Sequence, residues 1–132
     1  MKKLLLITLI IGTLLFSACG AKKPATTAVP LPIDISATQL IKEYKNNAGA
    51  ADKKYKDKEL SVSGVVKEIG KETSGTPFLL LTGSSANETT GVYCTFFDNY
   101  DSILAKLHIG QDVGITGICK GFNTNVLLDT RY

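Results

Sequence analysis

Two stretches alternate apolar residues with small or polar ones at a period of two: Leu60-Ser-Val-Ser-Gly-Val-Val-Lys67 and Val113-Gly-Ile-Thr-Gly-Ile-Cys-Lys120. Laid over one another, they match at Leu60/Val113, Val62/Ile115, Gly64/Gly117, Val65/Ile118 and Lys67/Lys120. Such alternation, rich in β-branched residues, predicts strands with one buried face. Glycine weakens a strand interior, so a matched pair of them predicts bulges or tight bends in the long staves of a small barrel.

Further elements follow from the same reading. Phe78-Leu-Leu-Leu-Thr82, Gly91-Val-Tyr-Cys-Thr-Phe-Phe97 and Val126-Leu-Leu-Asp-Thr-Arg131 read as shorter strands. Gly70 to Pro77 has strong turn chemistry, and Phe122 to Asn125 suits a hairpin connection. Between Tyr100 and Ile109, Ile103, Leu104 and Leu107 fall on one side of a short helix, with Gly110 placed for its C-terminal cap. Upstream, Ser36 and Gln39 form a capping box, with Ile35 as a hydrophobic staple, for a helix carrying Leu40, Ile41, Tyr44 and Ala48. Asn46, Asn47 and Gly49 interrupt that helix before a second short one over Ala50–Tyr55. The fold class is therefore mainly β: a five-stranded OB-fold barrel with a helix between strands three and four, preceded by N-terminal helices. An SH3-like barrel is the alternative, but it lacks that helix.

The first residues are of another kind. Lys2 and Lys3 precede an apolar run, Leu4 to Phe16, that is short for a membrane span and suits an export signal. Phe16-Ser-Ala-Cys19 resembles the bacterial lipobox, with Phe16 where leucine is usual. The expected division is a lipoprotein signal peptide over residues 1–18, a lipidated Cys19 with a flexible tether over 19–33, and an OB-fold domain over 34–132. Several acyl chains, each burying methylenes at about 0.8 kcal/mol apiece, would hold Cys19 on the membrane. The expected location is the bacterial cell envelope, anchored by lipid and facing away from the cytoplasm. Pro24, Pro30 and Pro32 keep the tether extended.

Charge then narrows the partners. Of 15 Lys and Arg, Lys2 and Lys3 fall in the leader, which leaves 13 cations against 12 acids. A near-neutral chain does not suit a dedicated nucleic-acid binder, whose affinity needs a clustered basic surface. Catalysis finds no constellation either. His108 is the only histidine, in a turn, so no Ser-His-Asp arrangement can be drawn without it. No CxxC accompanies it to suggest zinc. The expectation is a chain that is not an enzyme and holds no metal or cofactor.

With Cys19 acylated, Cys94 and Cys119 remain as a pair, both on inward positions of their strands. A disulfide closing this loop would contribute roughly 3 kcal/mol, if the Cα atoms lie within about 7 Å. Two buried thiols acting as small hydrophobes are the other reading. A ligand surface, by OB practice, is the outer face of strands two and three. Tyr93, Thr95 and Phe97 alternate onto it, and Lys67, Lys71, Lys120 and Phe122 lie where they could frame it. The same aromatics could instead pack under the N-terminal helices.

The segments Leu40-Ile-Lys-Glu-Tyr-Lys-Asn46, Ala51-Asp-Lys-Lys-Tyr55, Leu60 to Ile69, Leu107-His-Ile-Gly-Gln-Asp-Val113, Gly117-Ile-Cys-Lys-Gly121 and Val126-Leu-Leu128 together resemble the tRNA-anticodon-binding-like family of bacterial OB-fold lipoproteins. The resemblance spans nearly all of Ile35 to Tyr132. It implies an OB fold on an envelope lipoprotein and carries no catalytic motif. The expected partners are the membrane through the lipid anchor and an envelope protein or glycan. Nucleic acid is the alternative that the family name invites.

Overall fold

The computed structural model describes residues 29–83, 87–98 and 100–130, so the leader, Cys19 and most of the tether lie outside the described residues. Its elements run β1 (Ile33–Ser36), α1 (Ala37–Asn46), α2 (Ala48–Tyr55), β2 (Glu59–Lys71), β3 (Pro77–Thr82), β4 (Val92–Phe96), α3 (Asp101–Leu104), β5 (Asp112–Phe122) and β6 (Val126–Thr130). The sheet follows the order β1-β2-β3-β4-β6-β5, and a further pairing of β2 with β5 closes β2 to β6 into a barrel. This closed five-stranded barrel, with α3 between its third and fourth strands, is an OB fold.

The two repeated segments turn out to pair with each other. They run antiparallel, with Leu60 opposite Gly117, Val62 opposite Ile115 and Gly64 opposite Val113. The glycine of each strand thus faces the bulky residue that opens the other. Both glycines mark close approach. A Cβ on Gly64 would sit 2.9 Å from both Ala37 Cβ and Thr82 O, and one on Gly117 would sit 2.7 Å from Asp129 O. The bulges fall further along, between Val66 and Glu68 and between Cys119 and Gly121. The inserted residues are therefore Lys67 and Lys120, the matched lysines at the ends of the repeat. An extra residue there sharpens strand coiling, which lets one long strand pair with two neighbours in turn.

Inside the barrel, Leu60, Val62, Val66, Leu79, Leu81, Val92, Cys94, Cys119, Val126 and Leu128 are buried. Alternate positions of each strand supply them, as a period of two requires. Leu40, Ile41 and Tyr44 of α1 and Ala51 and Tyr55 of α2 extend this core at one end. Leu104 of α3 closes the other end. Ser36 caps α1 by accepting from Gln39 N at 3.2 Å, but the Gln39 side chain donates to Glu43 instead of completing the box. Asn47 ends α1 and caps α2, its Oδ1 accepting from Ala50 N at 3.0 Å.

Three expectations are corrected. Before α1 lies a strand that the sequence reading left out: Ile35 lies in β1, a short strand parallel to the start of β2, with Ile35 opposite Val62. The domain accordingly includes Ile33. Gly110 has a positive φ of 88°, but α3 ends at Leu104 and Gly110 serves the turn into β5, donating to Val66 O at 2.7 Å. The third correction concerns the cysteines. Cys94 and Cys119 are free, buried thiols. Both pair with Leu128, from opposite sides, so β6 runs between them. Two strand spacings put their Cα atoms roughly 9–10 Å apart, beyond the span of about 7 Å that a disulfide bridges.

Candidate functional site

The barrel's outer surface is built by the residues that alternate with its core. Across β2, β3, β4 and β6 they align as Gly70–Phe78–Thr95–Asp129 and Glu68–Leu80–Tyr93–Leu127. Phe78 and Tyr93 stack with centroids 4.8 Å apart and planes 20° from parallel. The Phe78 ring also lies over the bare backbone of Gly70, where a Cβ would meet Phe78 Cε1 and Cζ at 2.8 Å. A glycine, a ring and a second ring thus form a continuous apolar strip on this face.

Carboxylates border the strip. Tyr93 donates its hydroxyl to Glu72 Oε1 at 3.0 Å, which ties the β2–β3 loop to β4. Burial, then the hydrogen bond to Glu72, then the charges of Glu72 and Glu68 push the phenol up to about 12. The neutral form is the one the fold favours. Its contribution to stability is complete below pH 10 and disappears as pH rises through about 12. Glu72→Gln should bring the Tyr93 midpoint down, read by tyrosinate absorbance against Tyr93→Phe. An unchanged midpoint would detach Glu72 from the phenol.

Beyond the strip lies an open cleft of about 440 Å³ between the β2–β3 loop and the segment leading to α3. Ser74, Thr76, Phe97, Asp98 and Asp101 line it. Phe97 is 49% exposed there. Tyr93, Thr95 and Phe97 therefore share one surface, as the alternation predicts, and do not pack under the helices.

The four framing residues do not gather there. Lys67 donates to the backbone carbonyl of Glu88 in the β3–β4 loop. Lys71 does border the cleft, but its ammonium pairs with Asp101 at 2.9 Å. Lys120 pairs with Asp57 at 3.7 Å, and Phe122 stacks on Tyr44 with centroids 5.6 Å apart. Those two belong to the helical end of the barrel. Strand ends look alike in a sequence, whereas only closure decides which end of which strand adjoins the face.

Phe78, Leu80, Glu68 and Glu72 are the face residues that sequence reasoning missed. The run Phe78 to Leu81 is apolar throughout and hides its own alternation. The period of β4, applied to β3 through the antiparallel register, would have exposed Phe78 and Leu80.

At the helical end, the buried Tyr44 hydroxyl donates to Asp52 Oδ1 at 3.1 Å and lies 3.3 Å from Cys119 Sγ. Burial, the thiol and the carboxylate all push this phenol up. The cluster is a satisfied polar contact within the core. Among the described residues, no three His, Cys, Asp or Glu side chains gather to hold a metal. His108 is exposed in the turn before β5, its backbone N–H donating to Gln111 Oε1.

Fold and face together define the class: an OB-fold domain with an aromatic strip and an acidic border on its outer sheet. The chain belongs to the tRNA_anti-like family, whose model matches residues 1–131. Among curated proteins none matches. Among solved structures, one crystal structure is of a "putative nucleic acid-binding lipoprotein" from Klebsiella pneumoniae. It superposes with a TM-score of 0.56 at 18% identity, covering 72% of this chain and 87% of that one. At that identity the likeness is one of fold.

Proposed function

We propose that this chain is a non-enzymatic binding module of the bacterial envelope, held at the membrane through Cys19. Its contact surface for a protein or glycan is the outer face of β3 and β4. The observation that carries the reading is the charge of that face. Glu68, Glu72 and Asp98 border the Phe78–Tyr93 strip and its cleft, and the Lys71–Asp101 pair adds no net charge to them. Stacked aromatics suit an apolar ring or a sugar. A border of carboxylates repels phosphate, and polyanion affinity comes from cations freed to meet it.

Oligonucleotide binding is the second reading, favoured by the description of the Klebsiella lipoprotein and by the aromatic face itself. Titrating the detergent-solubilised chain with a fluorescent single-stranded oligonucleotide, at low and at physiological salt, separates the two. The expected result is no binding at either salt. Tight binding that weakens with salt and is lost in Tyr93→Ala would overturn the proposal in favour of a nucleic-acid platform.

A further inference from the structure

We infer that the tether-proximal end of the domain is a second contact surface, one that rests on the anionic lipid surface of the membrane. This rests on the anchored reading above but not on the ligand of the barrel face. The argument begins with where the tether meets the fold. Val29, Pro30, Leu31 and Ile33 lie against Asp57, Lys58 and Glu59, forming an apolar cleft of about 290 Å³. Val29 is 77% exposed and Leu31 89% exposed, the two most exposed large apolar side chains among the described residues.

Lys58 lines this apolar cleft, and further cations precede it in the chain. The last turn of α2 and the link to β2 carry Lys53, Lys54, Lys56 and Lys58 within six residues, all exposed. Of the acids nearby, Asp34 is exposed beside Ile33, and the others are engaged. Glu43 pairs with Lys54 at 2.9 Å, Asp52 accepts from Tyr44, Asp57 pairs with Lys120, and Glu59 has its own partner. Lys58 donates to the backbone carbonyl of Lys54, so its charge is not neutralised by a carboxylate. Exposed apolar side chains with lysines beside them are the composition of a surface that enters the headgroup region, where the apolar groups insert and the ammonium groups meet lipid phosphates.

The chain's path puts this end of the domain nearest to Cys19. Cys19 lies ten residues before Val29 in sequence, and the tether enters the domain at this same end. An anchored domain therefore presents Val29, Leu31 and the lysines without a carboxylate partner, Lys53, Lys56 and Lys58, to the bilayer. The acidic border of the barrel face is repelled by the same lipids. The two surfaces thus separate one domain into a membrane side and a ligand side.

The test uses the full chain reconstituted into vesicles of phosphatidylcholine alone or with phosphatidylglycerol. The rate of amine acetylation is read at each lysine by mass spectrometry. Each lysine near an anionic surface gains up to about fivefold in local association, so Lys53, Lys56 and Lys58 should each react up to about fivefold slower on the phosphatidylglycerol vesicles. Protection should vanish in about 1 M salt, where the screening length falls to about 3 Å. Lys106, exposed beside α3 at the far end, should react equally on both. Equal rates at these three lysines on both vesicles, or equal slowing at Lys106, would overturn the inference. Flotation of the vesicles is read in parallel. A chain that stays behind would refute the anchor itself, a result distinct from a floating chain whose lysines react freely.

Discussion

Replacing Gly117 with alanine is expected to destabilise the barrel by at least about 2–3 kcal/mol, while the same change three residues earlier in the same strand, at Gly114, is expected to stabilise it slightly. At Gly117 the new Cβ would lie 2.7 Å from Asp129 O and 3.1 Å from Asp129 C. Those are backbone atoms of β6, which pairs with β5 at the next residue, so relief requires the two strands to separate. Overpacking against a backbone that cannot yield costs about 1–3 kcal/mol and sometimes more. Around Gly114 no atom lies within 4 Å of the added carbon. There, alanine only narrows the unfolded ensemble, a gain of roughly 0.4–1 kcal/mol. Urea unfolding of the two variants reads both effects. Equal midpoints would show that close approach is not what keeps residue 117 a glycine.

Leu128→Ala is expected to cost about 3–5 kcal/mol, the range for removing a fully buried leucine. Leu128 is 0% exposed and sits between Cys94 and Cys119, paired with both. Its loss opens a cavity at the centre of the barrel. Burial pushes the Cys94 thiol up, so it reacts only when the domain opens. A destabilisation of about 3 kcal/mol should therefore raise the labelling rate of the thiols by roughly a hundredfold in the folded variant. Unfolded, the unsubstituted protein should show the same thiol count at Cys94 and Cys119 with and without reductant. A count that rises on reduction would mean a disulfide, and with it a β4–β6–β5 order different from the one described.

Much of this architecture was legible in the residues. The two repeats gave away the long strands, Ser36 the start of α1, and the alternation through Cys94 placed Tyr93, Thr95 and Phe97 on the outer face. Signals of this kind are local, because they depend on the pitch of a strand or the first turn of a helix. β1 escaped because four residues after Pro32 are too short to show a period, and their pairing to β2 is parallel and tertiary. The candidate face was half legible. Tyr93 stood out by its alternation, but its stacking partner Phe78 was hidden in an apolar run, and Glu72 in a polar loop.

The sequence by itself determined which residues turn inward along β2, β4 and β5, where α1 begins, and the order of elements that makes an OB barrel. Only the tertiary structure decided which strands became neighbours. Barrel closure put Leu128 between two cysteines, sent Lys120 and Phe122 to the helical end, and tied Lys71 to Asp101. The reason is that alternation specifies a side chain's face but not its distance from residues on another strand. That distance is set by register, by the bulges at Lys67 and Lys120, and by the closure of the sheet on itself.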